Sequence, residues 1–217
     1  MFFLPLSIIV FILFVLLFPI FLIMLQFGIA GAVFSKLGLS PSMGILIYAI
    51  SLIGSGINIP IVKKYNVISN NTDYFIKKYL GFPKSISYSV IAINVGGAII
   101  PMLLSIYLFR FVPVWRIIVA TGIITAIAYF IAKPVTGIGI TLPALVPPIF
   151  SAIISLLLFP QNPAPLAYIS GVIGTLIGAD LLHLKDVTKM GVGVMSIGGA
   201  GVFDGIFLVG IIAVLLA

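Results

Sequence analysis

The chain has 217 residues, 62% of them hydrophobic and 7% charged, and a mean hydropathy of +1.39. A soluble domain is about 45–50% apolar and about 25% charged, so a soluble interior cannot hide this surface and most of it must face lipid. The net charge of +7 implies no nucleic acid, because the basic residues sit between apolar runs, as the positive-inside rule leads us to expect. The lack of cysteine excludes disulfides and thiolate metal sites.

A membrane span needs about 20 apolar residues. In chain order the runs that qualify are 2–26, 43–62, 86–109, 114–132, 140–159, 165–183 and 199–217. They predict an all-α, polytopic membrane protein of about seven helices. The runs are continuous rather than alternating, which excludes a membrane β-barrel. The first has no basic leader and no small-residue cleavage site, and reads as a retained span instead of a signal peptide. Between the second and third, the stretch 63–85 (KKYNVISNNTDYFIKKYLGFPKS) interleaves lysines and aromatics in the manner of a headgroup-level segment. Its Lys63, Lys64, Lys77, Lys78 and Lys84 fall on the same side as Lys133, Lys185 and Lys189, against Lys36, Arg110 and Arg116 on the other. This asymmetry puts the loop and the N-terminus in the cytoplasm and the C-terminus outside. Trp115, with Arg110 and Arg116, marks the outer interface. Residues 1–217 thus read as one multi-pass domain of the cell membrane, in contact with lipid and suited to forming a homo-oligomer.

The spans are interrupted. The 22 glycines and 14 prolines concentrate in GSGINIP (54–60), NVGGAIIP (94–101), TGIGITLPALVPP (136–148) and GVGVMSIGGAGVFDG (191–205). Such residues pack helices closely, or free backbone groups that must be satisfied inside protein, as at the binding sites of transporters. The glycines of 191–201 predict a loop or re-entrant segment. GSGINIP and GIGITLP (137–143) share a pattern, and VGGAII (95–100) resembles IGADLL (177–182) at a similar offset. A duplication and chance likeness in a Gly/Ile-rich chain are both open readings.

An ionisable residue within a span marks a functional site by default. The chain has four acids and no glutamate. Asp73 and Asp186 lie beside lysines in loops, whereas Asp180 and Asp204 lie against apolar runs. If the last helix begins near residue 200, Asp204 occupies its first turn and Asp180 the adjoining end of the preceding helix. Two carboxylates facing each other there divide general acid and base roles toward a water, the chemistry of aspartyl proteolysis. The same pair, with Asn58, Asn94, Ser196 and carbonyls freed near Gly178, Gly199 and Gly201, would equally bind a monovalent cation or relay protons. Simple helix capping is the third reading. His183 follows Asp180 by three residues on the same face, but without a second soft ligand no metal is expected, nor any other cofactor.

Together NVGGAIIP, LPALVPP, GTLIGADLLHL and SIGGAGVFDGIFL resemble an uncharacterised family of archaeal and bacterial multi-pass membrane proteins, a domain of unknown function, over most of residues 45–217. That resemblance implies a shared fold and brings no activity. A more distant similarity is to the presenilin and signal-peptide-peptidase class, whose motifs are aromatic-Asp, Gly-x-Gly-Asp and Pro-Ala-Leu. Their partial counterparts are Asp180 after Gly178-Ala179, Asp204 after Gly199-Ala200-Gly201 with two residues between, and Pro143-Ala144-Leu145 upstream of both. It implies an intramembrane aspartyl-type protease acting on membrane-embedded peptide through Asp180 and Asp204. A small cation- or proton-coupled transporter or channel, and a non-catalytic scaffold, are the alternatives.

Overall fold

A computed structural model describes residues 6–67, 86–135, 139–189, 194–199 and 205–217. The chain divides into two compact units, Met1–Ala49 and Ile50–Ala217. In the first, helix α1 (Leu6–Lys36) turns through Gly38 into helix α2 (Pro41–Gly54), whose last residues enter the second unit. Ser40 Oγ accepts the Met43 N–H at 3.3 Å as α2 begins. Tyr48 holds the hairpin, its ring edge-on to Phe27 at 5.4 Å and its hydroxyl 3.4 Å from Gln26 Oε1. The apolar run expected over 2–26 therefore continues to Lys36 as one helix.

The second unit is not all-α. It contains a three-stranded sheet in the order β1-β2-β5, with β1 Asn58–Val67, β2 Ile86–Asn94 and β5 Val194–Ile197. β1 and β2 are antiparallel and β2 and β5 parallel. Three expected boundaries are corrected. The run 43–62 is helix only to Gly54 and then strand. The run 86–109 opens as β2, ISYSVIAIN, whose β-branched and aromatic residues suit a pleated surface. The stretch 191–201, expected as loop or re-entrant backbone, contains β5. Lys63 and Lys64, expected in the loop, lie in β1, and residues 68–85 fall outside the described residues. Pro60, which has no N–H to give a ladder, is tolerated because β1 is an edge strand and the register shifts by one residue between Pro60 and Val62. A short hairpin, β3 (Lys133–Val135) with β4 (Gly139–Thr141), takes in the first residues of the fifth expected run, 140–159, which becomes helix only at Val146.

The helices of this unit surround one central rod. β2 leads through a π-helical turn, Val95–Ile99, into α3 (Ile100–Leu108). Then come α4 (Val114–Ile131), α5 (Val146–Leu158) and α6 (Pro163–Thr175), the last continued by a π segment over Leu176–Leu181. α7 (Leu184–Lys189) and α8 (Gly205–Leu216) complete the fold. α6 is buried along almost its whole length, Leu166, Tyr168, Ile169 and Val172 fully so, and packs against α3, α4, α5 and α8. Small residues allow the close approach that helix association in lipid requires. A Cβ at Gly174 would lie 2.7 Å from the Ile124 side chain on α4, and one at Gly178 would lie 2.8 Å from Ala128 Cβ.

Among the described residues, three helices are long and apolar enough to cross a membrane: Val15–Lys36, Val114–Ile131 and Pro163–Asp186. Pro41–Gly54, Val95–Phe111 and Val146–Leu158 are shorter apolar helices. The molecule is mostly helical, and its outward apolar residues, such as Phe130 at 80% and Leu157 at 77% exposed, suit contact with lipid.

Candidate functional site

Four chain segments meet at one end of the sheet. Register places Asn58 on β1 directly opposite Asn94 on β2, and Ala92 on β2 opposite Ser196 on β5. Residues opposite each other, or two apart on one strand, share a face, so Asn58, Asn94, Ala92 and Ser196 all stand on the same side. The side chains use this alignment. Asn94 Nδ2 donates to Asn58 Oδ1 at 3.1 Å and to the Ser55 carbonyl at 2.6 Å. Ser196 Oγ donates to the same Asn58 oxygen at 2.5 Å, reaching over the small Ala92. Asn94 is 1% exposed.

The other half of the Asn94 amide caps the helix that follows. Its Oδ1 accepts the Gly97 N–H at 2.7 Å, satisfying one of the donors orphaned at a helix start. Ser51 Oγ, from the end of α2, donates to the Gly96 carbonyl. The backbones here are close: a Cβ on Gly96 would collide with the Ser51 carbonyl oxygen. Gly198, just after β5, has φ +83° and lies against the same turn, where a Cβ would be 2.6 Å from Ala98 Cβ. Only glycine meets both demands.

Asp180 joins this cluster from the π segment of α6. Its Oδ2 accepts the Gly198 N–H at 2.8 Å. The carboxylate is thus held to the turn carrying Ser196, and its second oxygen has no hydrogen bond among the described residues. π segments are rare and frequently lie at functional sites. His183 stabilises the segment from below: its Nδ1 stands 3.1 Å from both the Gly178 and Ala179 carbonyls. Carbonyls only accept, so Nδ1 carries the proton in this geometry. The His183 ring lies 4.8 Å from that of Tyr129 on α4.

Of the residues singled out from sequence, Asn58, Asn94, Ser196 and Asp180 converge, the last through Gly198. Gly178 supplies a carbonyl to His183 and packs against α4. Gly199, at φ +95°, continues the turn and donates its N–H to the Ser196 carbonyl at 3.3 Å. Pro143, Ala144 and Leu145 lead into α5, with Val146 N–H on the Pro143 carbonyl at 3.2 Å. No hydrogen bond among the described residues ties them to the cluster. Gly201 and Asp204 lie outside the described residues. Among those described, no group of three or more His, Cys, Asp or Glu is placed to hold a metal ion.

Sequence reading passed over Ser51, and took Ser55, Gly96, Gly97 and Gly198 only as members of glycine-rich clusters, not as site residues; for the glycines a sharper signal exists. Asn94-Val95-Gly96-Gly97-Ala98 and Ser196-Ile197-Gly198-Gly199-Ala200 share the form polar, β-branched, Gly, Gly, Ala. In both, a polar residue in or at the end of a strand precedes a glycine turn, and the two turns touch.

The family model described as "Protein of unknown function (DUF1614)" matches residues 52–216. No curated protein and no solved structure matches the chain.

Proposed function

The chain belongs to the DUF1614 family of proteins of unknown function, and from that premise we propose that it is a polytopic membrane protein whose Asp180 centre handles a monovalent cation or proton. The reading includes an N-terminus in the cytoplasm, with the long apolar helices spanning the membrane. The observation that carries it is the Asp180 carboxylate, on the π segment of the apolar helix Pro163–Asp186, which is long enough to cross a membrane, and held by the Gly198 N–H of a glycine turn at 2.8 Å. Intramembrane carboxylates are costly and typically lie on ion or proton pathways. Broken backbone at such a carboxylate offers carbonyl oxygens, the donors a hard monovalent cation takes.

In this reading Asp180 receives the cation or proton on its second oxygen. The incoming charge weakens the grip of the carboxylate on the Gly198 N–H, so loading is coupled to the turn that carries Ser196. Asn58 and Asn94 do not serve as ligands, because the Asn58 oxygen already accepts two hydrogen bonds and the Asn94 oxygen accepts Gly97 N–H. Their role is to hold the two glycine turns together. The test is uptake of Na⁺, K⁺ or protons into proteoliposomes containing the full chain. Asp180→Asn should abolish uptake while leaving the protein folded. Uptake equal to wild type in that variant refutes the reading.

A second reading, the aspartyl-type hydrolase acting on membrane-embedded peptide, is favoured by one observation. β5 is an edge strand of the sheet and ends beside the turn that Asp180 holds. An exposed strand edge can take up an extended peptide by strand pairing. This reading requires Asp204 as the second carboxylate. Cleavage of a transmembrane peptide lost in both Asp180→Asn and Asp204→Asn supports it, and cleavage retained in either removes it.

A further inference from the structure

The end of the second unit remote from Asp180 gathers two positive charges with no carboxylate beside them. Of the 11 basic residues in the chain only Arg110 and Arg116 are arginines, and both stand here. Arg110 lies in the 3₁₀ turn Phe109–Phe111 that follows α3, and Arg116 in the first turn of α4. That turn has no acid and no side-chain cap, so its cation stands against the helix dipole. The side-chain carboxylates among the described residues, Asp180 and Asp186, are far away. Asp180 lies beyond Gly178, which packs on Ala128, 12 residues and about 18 Å along α4 from Arg116. Neither arginine has an ion pair among the described residues.

Aromatic rings hold both guanidiniums in place. Arg110 Cζ stands 3.8 Å from the centre of the Tyr107 ring and 4.6 Å from that of Phe111, and its Nη2 donates to the Tyr107 hydroxyl. Arg116 Cζ lies 4.5 Å from the centre of the Phe159 ring, just past the end of α5, and 5.2 Å from that of Trp115. The buried Nε of Arg116 has no hydrogen-bond partner. Stacking occupies the face of a guanidinium and leaves its edge of N–H donors, the part that grips a phosphate two bonds at a time. Beyond Arg116 the same face of α4 is apolar and outward. Val119, Ile123 and Phe130 recur at helical spacing from it and are 41%, 41% and 80% exposed. This stripe runs about 21 Å, longer than the acyl half of one leaflet at about 15 Å.

We propose that Arg110 and Arg116 bind the phosphate of an anionic phospholipid headgroup, whose acyl chain lies along the apolar stripe of α4. A free phosphate ion would answer the guanidiniums and leave the stripe unused; a lipid answers both. Arginine suits this task better than the lysines that carry every other positive side chain here, because its fork matches two phosphate oxygens at once. Lipid binding at this end rests on the reading above that α4 spans the membrane, and is independent of any cation at Asp180.

Trp115 is the one tryptophan of the chain and sits beside Arg116, so its fluorescence reports on this end alone. The test places the full chain in vesicles of equal parts phosphatidylglycerol and phosphatidylcholine, with one lipid or the other carrying brominated acyl chains that quench tryptophan. Brominated phosphatidylglycerol should quench Trp115 with an apparent affinity at least about tenfold above that of brominated phosphatidylcholine, and Arg110→Gln/Arg116→Gln should bring the two within about twofold. Equal quenching of the wild type by both lipids overturns the proposal without recourse to any variant. Arg110→Lys/Arg116→Lys keeps the charges and loses the forks. The full preference retained in that variant shows diffuse attraction and also overturns the site. A preference abolished by millimolar inorganic phosphate assigns the pair to a free anion and removes the lipid. Quenching by neither brominated lipid removes the membrane-spanning reading of α4 itself, whereas equal quenching removes the headgroup site alone.

Discussion

Replacing Asn94 by alanine tests the polar clasp most directly. The side chain makes three hydrogen bonds, to the Ser55 carbonyl, Asn58 Oδ1 and the Gly97 N–H, from a position that is 1% exposed. A hydrogen bond contributes about 0.5–1.5 kcal/mol net, but a buried partner left without one costs about 1–3 kcal/mol. The Gly97 N–H, at a crowded helix start, bears most of that cost. Asn58 bears less, because it is exposed and keeps Ser196. The loss should total about 3–5 kcal/mol, a large share of the about 5–15 kcal/mol that holds a typical protein folded. The assay is reversible denaturation in mixed micelles, followed by circular dichroism, with Asn94→Asp alongside. The carboxylate retains acceptance from Gly97 N–H and loses both donations, so Asn94→Asp should show a loss distributed differently but still substantial. Stability of Asn94→Ala within about 1 kcal/mol of wild type would show that the three bonds do not bind the strands to the helix.

Other outcomes follow from the same geometry. Gly198→Ala places a Cβ at φ +83° and 2.6 Å from Ala98 Cβ. It should cost about 2–4 kcal/mol by thermal melting, from the left-handed backbone and from overpacking together. Gly178→Val should separate α4 from α6, destabilise by at least about 2 kcal/mol, and raise hydrogen exchange along residues 124–128. His183→Ala removes the proton donor shared by the Gly178 and Ala179 carbonyls. It should cost about 1–2 kcal/mol and shift the infrared amide band of those carbonyls if they are labelled. An unshifted band would deny His183 that role.

The helical part of the fold was legible because long apolar helices write themselves into composition. The long apolar helix that carries Asp180 and the interruption of the chain by glycine both followed from residue types. The sheet did not. In β2, ISYSVIAIN, every residue is compatible with an apolar span once its neighbours are apolar, so the length of the run hid the strand within it. β1 was divided between a supposed helix end and a supposed loop, since Lys63 and Lys64 read as headgroup anchors. The pairing of β2 with β5 is not local, and nothing in either segment names the other. The convergence of Asn58, Asn94 and Ser196 depends on that register. Their residue types could be selected from sequence, but the reason they touch could not.

The parallel pairing of β2 with β5 also sets an order of events. Val90 meets Val194, so the strand partners are separated by 104 residues of chain. At about 5–20 residues per second of synthesis, the β1–β2 hairpin would wait roughly 5–20 seconds with one edge open before β5 emerges to cover it. An uncovered strand edge is an invitation to pair with another chain. The nascent protein must therefore shield β2 during synthesis, beneath the helices that form in the interval. The Asp180 centre, which needs Gly198 from behind β5, is among the last parts of the molecule to come into being.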